Sequence, residues 1–141
     1  MLNMFPKTWE KNYAKSIQIV TYNLTKDSTQ ELTFELGNIS VSNYSLPKKY
    51  LYEPNAAIMK SGGFDEVTSQ YEIEKLNKHS HLYTSDILID FPGRVFEIEQ
   101  IYGNNKSDIK LLKSNVLKAN ISTRNYPLSA NDFRKKVGIT D

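Results

Sequence analysis

The 141-residue chain carries a formal charge of +2 and no cysteine, which excludes disulfides and thiolate chemistry. No apolar run approaches the roughly 18 residues of a membrane span, and the lysine-dotted N-terminus lacks an apolar signal core, so a cytoplasmic protein is expected. A pI near 8.6 is too mild to announce a nucleic-acid partner, so the placement of the basic residues has to decide that question.

Phe5, Trp9 and Tyr13 recur every four residues, a spacing that predicts one aromatic stripe on an N-terminal helical arm. Two strands follow at Ile17–Tyr22 and Glu31–Leu36. In the second, Leu32, Phe34 and Leu36 alternate with Glu31, Thr33 and Glu35, giving one dry face and one wet face around a Lys26–Thr29 turn. Gly37 to Lys49 is rich in Asn, Ser and Pro, lacks periodicity and is expected to be a linker. Tyr50–Glu53 is then a short extended entry to a helix with Pro54 as its first residue, because proline has no amide for the first turn to use. Gly62-Gly63 should stop that helix.

Phe64, Val67 and Tyr71, continued by Ile73 and Leu76, mark a second helix running toward Asn77. A short strand at His81–Thr84, a bend at Phe91-Pro92-Gly93 and a longer strand at Arg94–Tyr102 come next. Ser107 is a plausible N-cap for a helix striped by Ile109, Leu112 and Val116, in which Lys113 falls inside the stripe and Leu111 outside. A last strand is expected at Ala119–Arg124. A final helix then follows, with Ser129 and Asp132 in capping-box positions and Ala130, Phe133 and Val137 as its apolar face. Interleaved strands and helices argue an α+β or small α/β domain: an N-terminal hairpin followed by a mixed sheet with helices packed on it.

Four runs resemble one family in order and spacing. They are Tyr50-Leu51-Tyr52-Glu53-Pro54 continuing to Gly63-Phe64, His81-Leu82-Tyr83-Thr84-Ser85, Phe91-Pro92-Gly93-Arg94-Val95-Phe96, and Ala119 to Leu128. They are similar to the THUMP-like domain at the C-terminal end of bacterial class I methyltransferases that use S-adenosylmethionine, which a small ferredoxin-like segment precedes. The resemblance covers Tyr50 to the C-terminus and, more weakly, Ile17 to Gly37. It implies an arm and ferredoxin-like hairpin at residues 1–45 and a THUMP-like domain at 46–141. The family continues past the position of Asp141 with a Gly-Gly-Asp and further strands, so it also implies a domain shortened at its C-terminus.

A class I methyltransferase needs a glycine-rich loop after its first strand and an acidic residue about twenty positions on, by analogy with dinucleotide folds. Ser61-Gly62-Gly63-Phe64 follows a predicted helix instead, and no Asn/Asp-Pro-Pro-aromatic run exists. No catalytic residue and no cofactor are therefore expected in this chain, with S-adenosylmethionine belonging to a separate catalytic domain. His79 and His81, with Asp86 and Asp90 nearby, fall short of a convincing metal set; a surface histidine and a packed one explain them as well. Glu97 and Glu99 share a strand face, usually a solvated one. Glu53, just before Pro54, is expected to cap the helix start.

The basic residues carry the partner expectation. Arg124 with Tyr126 places a cation beside a ring, an arrangement that can hold a phosphate and stack a base. Lys60, Arg134, Lys135 and Lys136 extend the field, although cations late in a helix also simply complement its dipole. The resemblance implies a non-catalytic module that binds RNA, of tRNA or rRNA type, for a methyltransferase domain held in cis or in trans. The alternative is a docking module with no nucleic-acid role and an apolar patch around Phe5, Trp9 and Tyr13.

Overall fold

The computed structural model describes residues 16–38 and 40–140. The expected N-terminal aromatic arm lies outside them. Ten elements follow in chain order: β1 (Gln18–Leu24), β2 (Thr29–Glu35), β3 (Tyr50–Pro54), α1 (Ala56–Ser61), α2 (Phe64–Tyr71), β4 (Glu74–Lys75), β5 (Tyr83–Ser85), β6 (Gly93–Glu97), α3 (Lys106–Asn115) and α4 (Ala130–Val137). The α+β class holds. β1 and β2 form a two-stranded sheet, and the remaining strands a four-stranded sheet in the order β4-β5-β3-β6. Every ladder between these strands is antiparallel; among the described residues the parallel pairings are the isolated bridges Tyr44–Lys75 and Lys118–Thr140.

The core gathers around β3. Tyr52 is fully buried, accepts from the Ile89 amide (3.3 Å) and donates its hydroxyl to Ile87 O (2.7 Å), so an aromatic body packs while its polar tip is satisfied. Tyr83 does the same on β5, donating to Phe64 O at 2.8 Å. Ile58, Val67, Ile73 and Phe91 complete this cluster, and Leu32 reaches it from the hairpin. The hairpin is therefore built into the body. Phe34 packs its ring against Gly63, where an added Cβ would lie 2.6 Å from the ring edge.

Several expectations shift by identifiable causes. Pro54 ends β3 instead of opening α1, and Asn55 is the cap, its Oδ1 accepting from the Ile58 amide at 3.0 Å. β5 pairs only as far as Tyr52, so Pro54 lies beyond that ladder, where its missing amide costs little. α2 stops at Tyr71, because Glu72 takes a left-handed conformation and the chain then enters β4 at Glu74–Lys75. The presumed linker is pinned: the Lys75 amide donates to Asn43 O (2.8 Å), the Ser45 amide to Lys75 O (3.1 Å), and buried Ser42 donates to Asp65.

The C-terminal part is sparser. Asn105, not Ser107, caps α3. Its Oδ1 accepts from the Asp108 amide (2.9 Å) while Asp108 accepts in turn from Asn105 Nδ2 (2.9 Å) and the Gly103 amide (2.9 Å). Ser129 caps α4 as expected, accepting from the Asp132 amide at 3.1 Å. Lys113 is exposed, and Ile109, Leu112 and Val116 are only half-buried. The strand expected at Ala119–Arg124 does not form; the Ala119 amide makes one bond to Thr140 O (3.0 Å) and the chain then runs free of any ladder. The strand expected to reach Tyr102 ends at Glu97. No helix of the described residues is long and apolar enough to cross a membrane.

Candidate functional site

β3 and β6 run side by side in a register that sets Glu53 opposite Arg94 and Pro54 opposite Gly93. Opposite charges directly across an antiparallel pair attract, and Arg94 bonds the Glu53 carboxylate. The chains are so close at Gly93 that an added Cβ would lie 2.1 Å from Glu53 O. Only glycine fits there. Arg124, from the loop between α3 and α4, reaches the other oxygen of the same carboxylate. Asn125, the next residue, takes a left-handed conformation (φ 51), which asparagine tolerates better than most residues.

Glu53 is thus a clasp across 71 positions of sequence and not the helix cap expected for it. Its side chain is 14% exposed, against 65% for Arg94 and 46% for Arg124. Burial pushes the Glu53 carboxyl upward, but the hydrogen bonds and charges of Arg124 and then Arg94 outweigh it and hold the pKa below the usual glutamate value. Glu53 takes one terminal nitrogen from each guanidinium, and a guanidinium carries five N–H donors in a fixed fork. Both arginines keep donors for a second anion.

These side chains stand at one wall of a cleft of about 560 Å³, which Lys60 at the end of α1 also lines. Three cations against one carboxylate leave the cleft a formal surplus of two positive charges. Arg94 also lies 5.6 Å from the centre of the Phe96 ring. Beside this cleft, Arg124 borders a second hollow of about 310 Å³ lined by Leu82, Tyr126 and Phe133.

Of the six residues expected from sequence to meet a ligand, Lys60 and Arg124 come together in the larger cleft, and Tyr126 joins Arg124 in the smaller hollow. Tyr126 is half-buried, edge-on to Phe133 with ring centres 5.6 Å apart, and donates to Asn104 Oδ1 at 3.1 Å. Part of its ring is thereby used in packing. Arg134, Lys135 and Lys136 sit on α4 and line neither cavity; Arg134 is half-buried and donates to Asn131 Oδ1 (3.3 Å), while both lysines are exposed. Sequence reasoning did not single out Arg94 as a site residue; it comes into view only through the β3–β6 register that sets it opposite Glu53.

His81 lines the same cleft in a left-handed backbone conformation, stacked on Phe64 with ring centres 3.7 Å apart. Burial, followed by the nearby positive charges of Lys75 and His79, lowers its pKa against the opposing pull of Asp65. It is the packed histidine of the two. Among the described residues no three His, Asp or Glu side chains converge as metal ligands do.

Residues 50–92 match the model of a ferredoxin-like domain and residues 93–141 that of a THUMP domain-like family. The hairpin precedes both matches, and the matched stretches divide after residue 92. β3 and β6 fall on opposite sides of that division yet pair along their whole length, so the two stretches share one sheet. A search of curated proteins finds no match. Among solved structures, the chain superposes on a crystal structure of a "putative methyltransferase from Porphyromonas gingivalis W83" with a TM-score of 0.79 and 35% identity over 88% of its length. It spans 32% of that longer chain. The protein therefore carries a ferredoxin-like domain followed by a THUMP-like domain, joined through one sheet, and is similar to that Porphyromonas gingivalis protein over about a third of the latter's length.

Proposed function

We propose that this chain is the RNA-engaging recognition module of a methyltransferase, without catalytic machinery of its own, working in the cytoplasm beside a domain that binds S-adenosylmethionine and transfers the methyl group. The observation that carries this reading is the convergence of Arg94, Arg124 and Lys60 on one cleft where the ferredoxin-like and THUMP-like stretches meet. Guanidiniums match phosphate oxygens in a planar, two-pronged geometry, and a cleft focuses their field on an anionic strand. Lys135 and Lys136 on exposed α4 extend the positive surface. The catalytic domain holds the reactive groups, and this module holds the substrate.

The test is binding of the chain to bulk tRNA and to rRNA fragments at low and moderate salt. The affinity should fall steeply with salt, and Arg124→Glu should weaken it about tenfold or more, since it both removes a contact and adds repulsion. Absence of binding at either salt, or binding without a salt slope, contradicts the RNA reading.

One observation favours a docking role in addition. The outer face of the hairpin exposes Val20, Tyr22 and Leu24 at 42, 61 and 80%. Alternation along β1 lines these three up on one side, and an exposed apolar stripe suits a partner domain. A chain that binds the isolated catalytic domain but no RNA would replace the first reading with this one.

A further inference from the structure

We infer that the cleft receives one unstacked nucleotide, with its phosphate on Arg94 and Arg124 and its base edge on a locked pair of amides, Asn23 and Gln30. The inference rests on the RNA reading and adds to it a site where sequence is read. Its basis is a chain of hydrogen bonds that begins in the backbone.

Asn55 must present Oδ1 to the Ile58 amide, because that bond caps α1. Its Nδ2 is then the only group left to face Gln30, 3.0 Å away, so the Gln30 atom it meets is the oxygen. The same oxygen accepts from Asn23 Nδ2 at 2.9 Å, which fixes the third amide too. A side-chain amide is ordinarily free to turn over, but here a helix cap sets the orientation of all three. Gln30 Nε2 and Asn23 Oδ1 are left without a hydrogen-bond partner among the described residues, on side chains that line the cleft.

A fixed donor beside a fixed acceptor is what an amide needs to read a base edge, and a base outside its stack exposes such an edge. Asn23 and Gln30 face each other across the hairpin, Gln30 opposite Asn23 in the β1–β2 register, so both side chains rise from one rigid rung. The arginine clasp lines the same cleft. Its volume, about 560 Å³, falls within the roughly 300–1,000 Å³ of small-ligand sites. Met59, 39% exposed, adds an apolar surface for the face of the base. A phosphate diester only accepts, so it would leave the fixed acceptor Asn23 Oδ1 unused, whereas a base edge with a donor would pair with it.

The experiment compares the intact chain and two variants, using labelled homopolymer RNA hexamers of each base, an abasic hexamer, and nucleoside 5′-monophosphates as competitors. Wild type should bind at least one base-bearing hexamer about tenfold more tightly than the abasic one, the discrimination expected of one well-made edge contact. Gln30→Glu keeps the oxygen that Asn23 and Asn55 donate to, so the wall stays built, but replaces the free donor with an acceptor. The ratio of base-bearing to abasic affinity should collapse toward one or change its base ranking. Arg94→Ala should weaken base-bearing and abasic hexamers by the same factor. Competition by monophosphates at concentrations comparable with the hexamers marks a free nucleotide as the ligand, and a need for far higher concentrations marks a strand. Equal affinity of the wild type for abasic and base-bearing hexamers, or a Gln30→Glu variant that keeps both the ratio and the ranking, overturns the base-reading site. In that event salt-dependent hexamer binding still leaves the RNA reading standing, whereas absence of all hexamer binding removes both.

Discussion

The body formed by residues 16–38 and 40–97 and the helical part at 98–140 are held together in different ways. The first buries seven apolar side chains in one cluster, three of them aromatic and two of those tied by their hydroxyls to backbone carbonyls. The second buries only Val137 and Ile139 and is closed by one isolated bridge, helix caps and the contacts of Tyr126 with Phe133 and Asn104. Burial of an apolar side chain contributes about 1.5–3 kcal/mol, so the stability of the two parts is set mainly by that difference. The cleft is made where they meet. One guanidinium comes from the rigid sheet edge and one from the lightly packed loop, and Glu53 holds the second against the first.

Equivalent truncations in the two parts should therefore behave differently. Ile58→Ala removes a fully buried side chain from the main cluster and should cost about 3–4 kcal/mol in the whole unfolding transition, measured by chemical denaturation. Val137→Ala should cost about 1–2 kcal/mol, and hydrogen exchange should show the loss confined to α3, α4 and the bridge at Lys118 while β3 and β5 stay protected. A global loss of protection in Val137→Ala would mean that the two parts fold as one.

Between these lies the clasp. Glu53→Gln keeps the shape but removes the charge that both arginines meet, and should destabilise by about 1–2 kcal/mol, less than a fully buried pair because the guanidiniums remain largely hydrated. The smallest effect is on pH. Glu53 and Asp65 both have lowered pKa values, Asp65 chiefly through the bond from Ser42 with Lys75 adding to it against burial. Their contribution is complete above the ordinary carboxylate range and is lost as pH falls through the folded values. His81, also lowered, favours its neutral form in the fold, so a little stability goes earlier, as pH drops below about 6.5 where the unfolded chain takes up its proton first. Acid titration of stability should show this early loss vanish in His81→Asn, and the later one shrink in Glu53→Gln.

Legibility followed the same division. Alternation in β2, the glycine stop after α1 and the Ser129 cap were visible because each is settled within a few neighbouring residues. Pro54 was misplaced because its environment is decided by how far β5 runs, a tertiary fact. The supposed linker looked irregular for the same reason: its partners, Asp65 and Lys75, lie on other elements. At Ala119–Arg124 strand-forming residues have no neighbouring strand to pair with, and propensity alone does not make a ladder. In the cleft, Lys60 and Arg124 were legible as exposed cations, whereas Arg94 and the Asn23–Gln30–Asn55 chain emerge only from register and capping.

The most direct measurement is the salt dependence of RNA-hexamer affinity for the intact chain and for the double variant Arg94→Ala, Arg124→Ala. Two lost phosphate contacts should make the slope of log affinity against log salt shallower by about 1.4, at roughly 0.7 per contact on a single strand, along with a large drop in affinity at low salt. An unchanged slope would mean that the two guanidiniums serve only Glu53 and that the cleft holds no phosphate.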